Sequence, residues 1–115
     1  MNKKIEILDT PPSQNEWNCM FWADRKRIKD IWEKIIWAEL VNRIEIKKLK
    51  NIKISFCFPD NRPRDIDNFV YFKAILDGLK MAKIISDDNS KIIQPQYSIK
   101  TNTQERKTII EIEYE

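Results

Sequence analysis

From Phe21 to about Arg43, apolar side chains recur at steps of three, four and seven. Phe21, Ile28, Ile31, Trp32, Ile35, Ile36 and Leu40 fall on one side of a helix, with Glu39 as a polar intruder. A stripe this wide must pack on something. Elsewhere the period changes to two. Ile52 to Phe58 alternates Ile, Ile, Phe and Phe with Lys, Ser and Cys, which is a strand pattern. Lys4 to Leu8 is a shorter alternating segment. Lys91 to Lys100 and Lys107 to Tyr114 also read as strands, with Thr101 to Arg106 as a polar turn between them. Thr108, Ile110, Ile112 and Tyr114 share one parity, and Ile109 on the other predicts partial burial of the opposite face.

A second helix is predicted from about Asp67 to Lys83, because Phe69, Phe72, Ile75, Leu76 and Leu79 recur at helical spacing. Thr10-Pro11-Pro12-Ser13 breaks the first strand, since two prolines fix φ and remove donors. Pro59-Asp60-Asn61 stops the second with turn residues. Glu45 to Asn51 reads as a lysine-rich loop with some helical leaning, and Asn15 to Met20 carries no assignable period. The order is strand, helix, strand, helix, then a hairpin. This implies a single α/β domain over residues 1–115, a mixed sheet of about four strands with two main helices packed on it.

Composition narrows the chemistry. The one glycine excludes glycine-rich phosphate loops, which need several for close backbone approach. The absence of histidine removes imidazole bases, Ser-His-Asp triads and imidazole zinc sites. Cys19 and Cys57 form no close-spaced metal pattern and read as two buried thiols in a reducing cytosol, with a disulfide between them as the alternative. No long apolar run or apolar leader is present, so neither a membrane span nor secretion is expected. Lys and Arg exceed Asp and Glu by 21 to 18, which suits a polyanionic partner. Arg25, Lys26, Arg27 and Lys29 form either a solvated face or a set of phosphate contacts. Trp22, Trp32 and Trp37 read as core or interface rather than base-stacking platforms.

The stretch Arg62 to Asp88 gathers acids at both ends of the second helix. Asp65 and Asp67 stand at its mouth, Asp87 and Asp88 beyond its end. Asp-x-Asp puts two carboxylates on one side of an extended segment. With a third acid from the loop after the helix they make a bowl of negative charge. Two unit charges about 4 Å apart repel by roughly 4 kcal/mol at an effective dielectric near 20. Such a bowl implies a bound cation or a raised pKa. Phosphodiester hydrolysis needs a nucleophilic water and a stabilised leaving oxygen, and Mg²⁺, bound by hard carboxylates, supplies both. The plainer readings are a helix N-cap at Asp65 or Asp67, a turn at Asp87-Asp88-Asn89, and a surface ion pair between Lys73 and Asp77.

The pattern R-x-x-D-I-D-N, a helix carrying K-A-I-L-D-G-L, and then I-I-S-D-D resembles the RusA family of Holliday-junction resolvases, many of them encoded by prophages. Pro11-Pro12-Ser13-Gln14-Asn15 resembles the motif that follows the first strand in that family, so the likeness runs over nearly the whole chain. It implies that Asp65, Asp67 and Asp88 are catalytic, metal-binding aspartates. It implies Lys73 as the catalytic helix lysine, and Arg64, Asn68 and Lys73 as DNA contacts. It further implies a homodimer that nicks opposite strands of a four-way junction with Mg²⁺, or with Mn²⁺ in its place. This chain departs from the family in one respect. Two extra residues separate Asp67 from Lys73, and in a continuous helix they would turn the face by about 200°. Either the helix starts later, with residues 68–70 still in the loop, or Lys73 is turned away.

The expectation is therefore a Mg²⁺-dependent endonuclease for branched DNA. Its rivals are a nuclease for flaps or forks and a DNA-binding or protein-interaction module of the same fold without catalysis.

Overall fold

Four strands form one mixed sheet in the order β1-β4-β2-β3, where β1 is Asn2–Ile7, β2 Leu49–Cys57, β3 Gln96–Lys100 and β4 Lys107–Tyr114. The computed structural model describes residues 2–40, 49–70, 72–81 and 95–114. Asp87 and Asp88 lie outside the described residues. Helices α1 (Gln14–Cys19), α2 (Trp22–Leu40), α3 (Asp67–Val70) and α4 (Ala74–Met81) complete the domain.

β3 and β4 are adjacent in sequence but do not pair. β4 is antiparallel to both β1 and β2, while β3 runs parallel to β2 on its far side. The expected hairpin is therefore absent, because β2 lies between its two arms. Strands β1, β2 and β3 all run one way, so the segments that follow them gather at one end of the sheet, together with the start of β4.

One face of the sheet is covered. Ile5 and Ile7 of β1, Ile52, Ile54 and Phe56 of β2, and Ile110 and Ile112 of β4 form one core with Trp32, Ile36, Leu40, Phe69, Phe72, Ile75 and Leu79 from the helices. The alternate residues Lys4, Glu6, Lys53, Ser98, Lys100 and Glu111 are exposed on the other face. Ile109 lies on that second face and is buried there, as its parity predicts, beside Ser55 and Cys57. Both cysteines are free thiols; Cys57 is buried as expected, whereas Cys19, at the end of α1, is exposed and not buried.

Residues 14–19, which show no period, are helical because of a cap. The Ser13 hydroxyl accepts from the Glu16 backbone N–H while the Glu16 carboxylate accepts from the Ser13 N–H, a reciprocal capping box. The α2 stripe is only half packed. Trp32, Ile36 and Leu40 are buried, whereas Phe21, Ile31 and Ile35 remain exposed, as do Trp22 and Trp37. α2 packs chiefly on α4, which covers only part of the stripe.

The second predicted helix is two helices. α3 ends at Val70, Phe72 lies between, and α4 starts at Ala74. Phe72 is buried at the break, edge-on to Trp17 (5.6 Å between centroids) and to Trp32 (5.4 Å). Residues 68–70 are helical, so the helix does not start late.

α4 closes on α2 through its glycine. A Cβ at Gly78 would stand 3.0 Å from Ile36 Cβ and 3.2 Å from its Cγ2. Ile36 is fully buried, and its Cβ cannot withdraw without moving α2. At the rim of this seam Lys29 pairs with Asp77 (3.3 Å) and with Glu33 (3.8 Å), so the partner of Asp77 lies on α2 and is not Lys73. Burial pushes the Glu33 carboxyl up, against the pull of Lys29. Gly78→Ala is expected to destabilise the domain. Overpacking costs about 1–3 kcal/mol, and the gain in helix propensity returns at most about 1 kcal/mol. Urea unfolding measures the balance, and a stabilised variant would show that the seam can open without penalty.

Candidate metal and nucleic-acid site

The turns that follow β2 and β3, at the end of the sheet where β1, β2 and β3 finish, carry Asp60, Arg62, Arg64 and Arg106. In open α/β sheets, ligands bind outside the carboxyl ends of the strands. After β2 the chain continues through Phe58, whose N–H donates to the Lys100 carbonyl (2.9 Å) and whose carbonyl accepts from Thr103 N–H (3.1 Å). The Asp60 carbonyl accepts from Asn102 N–H (3.0 Å), so the turn after β3 is laced to the turn after β2. Asn102 has φ 55°, a left-handed conformation that Asn tolerates better than most residues.

Asp60 and Arg64 form the shortest ion pair among the described residues of this edge. Arg64 Nη1 and Nη2 donate to the two Asp60 oxygens at 2.6 and 2.9 Å. The guanidinium carbon also lies 3.8 Å from the centroid of the buried Phe58 ring. The hydrogen bond from Arg64, with a backbone bond and charge from Arg62, holds the Asp60 carboxyl well below the usual carboxylate range. The pair is therefore ionised throughout the neutral range. Arg62 approaches the same carboxylate at 3.6 Å and is mostly exposed.

Asp65 and Asp67 follow at the start of α3. The Asp65 Oδ1 accepts from Asp67 N–H (3.1 Å), and its carbonyl accepts from Asn68 N–H (3.0 Å). The segment is a turn entering a helix, not an extended strand, so strand alternation does not set where the two carboxylates lie. The plainer reading of Asp65 as a cap thus holds for one of its oxygens. Its other oxygen and both oxygens of Asp67 have no protein partner among the described residues, and both side chains are exposed. Hard, water-exposed carboxylate oxygens on a short turn fit the requirements of Mg²⁺, which keeps several waters and takes one or two carboxylates.

Among the described residues no three such side chains gather to hold a metal. Asp88, the expected third ligand, lies outside them. Asn68 is half-buried on α3. Lys73 sits exposed in the turn before α4, where its carbonyl accepts from Asp77 N–H (2.9 Å) and its ammonium has no partner among the described residues.

Two further residues belong to this edge. Arg106, the last residue before β4, donates from Nε to the Thr10 hydroxyl (2.7 Å), and its guanidinium lies 5.3 Å from the same Phe58 ring. Thr108 donates its hydroxyl to the Asp9 carbonyl (2.8 Å), pinning the loop after β1 to β4. Their only sequence signal was position, since both lie where a strand ends or begins. The contacts join residues almost the whole chain apart. Among the described residues no helix is long and apolar enough to cross a membrane. No protein-family model matches the chain, and no curated protein matches it.

Proposed function

We propose that the chain is a Mg²⁺-dependent endonuclease of the RusA type that acts on branched DNA as a homodimer. The observation that carries this reading is the pair Asp65 and Asp67. They are exposed carboxylates with unpartnered oxygens among the described residues, on one short turn in the segment that follows β2. Asp65 divides its work, with Oδ1 fixing the turn and the other oxygen left for a cation. Asp88 completes the ligand set in this reading. When bound, Mg²⁺ supplies an activated water and neutralises charge on the leaving oxygen. Lys73 steadies the phosphate, and basic side chains give salt-sensitive backbone affinity.

The test is a labelled four-way junction, a fork and a linear duplex, each with and without Mg²⁺. The reading expects cleavage of the junction only, and only with the metal. Preferential cutting of the fork would make the chain a nuclease for other branched DNA. Binding without cleavage, in Mg²⁺ and in Mn²⁺ alike, would make it a non-catalytic module.

Paired nicks need two sites related by a two-fold axis. The exposed Phe21, Trp22, Ile31, Ile35 and Trp37 offer apolar and aromatic surface of the kind interfaces use. Light scattering at micromolar concentration is expected to give twice the chain mass. A monomer with full junction cleavage would rule out the dimer.

A further inference from the structure

We propose that Arg106, held in place by Thr10 and Phe58, is the residue of this edge that grips a backbone phosphodiester of the bound nucleic acid. This rests on the reading of the edge as a nucleic-acid site and assigns the contact to Arg106 in place of Arg64. Both guanidiniums lie against the Phe58 ring, but their charges are used differently. Arg64 is bonded to both oxygens of Asp60, and its side chain is 13% exposed. A phosphate reaching it must displace a carboxylate already in place. Arg106 spends only Nε, on the Thr10 hydroxyl. Its two terminal nitrogens have no partner among the described residues, and the residue is exposed.

The hold on Arg106 is what makes it a recognition group and not just a surface charge. Thr10 is itself buried at 5% exposure, with its N–H bonded to the Asp9 carboxylate (2.8 Å), so the acceptor is fixed. The buried ring of Phe58 limits tilting of the guanidinium plane. A fork oriented in advance loses less freedom on binding than a free side chain. The open Nη edge matches the bidentate geometry that arginine uses for phosphate oxygens.

The neighbourhood also selects the ligand. Asp9 and Glu16 line the groove that Arg106 borders. Two carboxylates disfavour a free phosphate dianion. They tolerate a diester better, since it carries one charge and delivers it at the Nη edge.

The experiment measures binding in chelator, so it does not depend on cleavage. Fluorescence anisotropy would follow a four-way junction and a linear duplex across a salt series for wild type, Arg106→Ala, Arg106→Lys, Thr10→Val and Arg64→Ala. Arg106→Ala is expected to weaken both DNAs about tenfold at low salt and to lower the salt slope by about 0.9, one phosphate's worth. Arg106→Lys keeps the slope but loses part of the affinity, because the charge stays and the fork goes. Thr10→Val keeps the slope with a loss of about twofold to threefold. Arg64→Ala leaves the slope within error of wild type. Inorganic phosphate at millimolar concentration does not shift the Arg106 Nε–H resonance, whereas a short oligonucleotide does.

The proposal is overturned if Arg106→Ala folds and keeps the wild-type slope, or if Arg64→Ala loses the slope instead. It is also overturned if wild type binds neither DNA in chelator. A wild type that binds but never cuts removes the endonuclease reading alone, and the variants still decide the role of Arg106.

Discussion

Asp65→Asn and Asp67→Asn are each expected to abolish Mg²⁺-dependent cleavage of a four-way junction while junction binding in chelator stays close to wild type. The expected loss is about a thousandfold or more, equivalent to roughly 4 kcal/mol of transition-state stabilisation. Asparagine is the informative substitution because it separates charge from structure. The Asp65 Oδ1 accepts from Asp67 N–H, and an asparagine oxygen makes the same cap. Alanine would remove the cap as well as the charge, and lost activity could then follow from a frayed α3. Asp67 has no such bond to lose among the described residues, so its variant tests charge more directly. Binding is expected to survive because phosphate affinity comes from basic side chains and falls with salt. Asp88→Asn belongs in the same series. Near wild-type cutting by two of the three variants would place the chemistry elsewhere. Loss of binding along with cutting would mean that these carboxylates shape the DNA surface itself.

The sheet and the helices were readable where one local period governed them. Ile52 to Phe58 alternates, and its inward side chains are fully buried in β2. Ile109 broke parity and proved to be buried on the second face. The failures share a cause, which is contact between residues far apart in sequence. Nothing in residues 91–114 records that β2 separates β3 from β4. The α2 stripe gives the width of apolar surface, but the elements packed on it, chiefly α4, decide how much is covered, and Ile31 and Ile35 are left out. At the candidate site, the Asp-x-Asp spacing was visible while the turn that holds it was not, since a strand and a helix cap place the same two residues differently. Arg64 was legible as a base beside the aspartates, but its capture by Asp60 depends on how the chain turns after β2. Arg106 meets Thr10 across 96 positions, beyond any local pattern.

Phe72→Ala is expected to cost about 3–5 kcal/mol, the range for removing a buried aromatic ring, and so to lower the melting temperature by at least roughly 10 °C. The ring is buried at the joint between α3 and α4. Phe72 N–H reaches the Phe69 carbonyl only at 3.3 Å, and the regular helix resumes two residues later. Trp17 and Trp32 meet the ring edge-on at interplanar angles of 82° and 77°, an arrangement that adds about 0.5–1.5 kcal/mol per pair beyond area burial. Removing the ring therefore strips a contact from α1, from α2 and from the joint at once. Phe72→Leu keeps most of the volume and is expected to cost under about 1.5 kcal/mol beyond the lost ring pairs. The two indoles report the change directly, since native-state tryptophan fluorescence should shift in Phe72→Ala before any denaturant is added. In the proposed reading, Lys73 acts from the turn directly after this joint. At a temperature where Phe72→Ala is still folded, its cleavage rate should fall as far as that of Lys73→Ala, while Phe72→Leu should cut at near wild-type rate. A Phe72→Ala variant that loses less than about 1 kcal/mol by urea unfolding would mean that the break is set by the backbone and not by the ring. Full cleavage by a folded Phe72→Ala would mean that Lys73 does not act from the position this joint gives it.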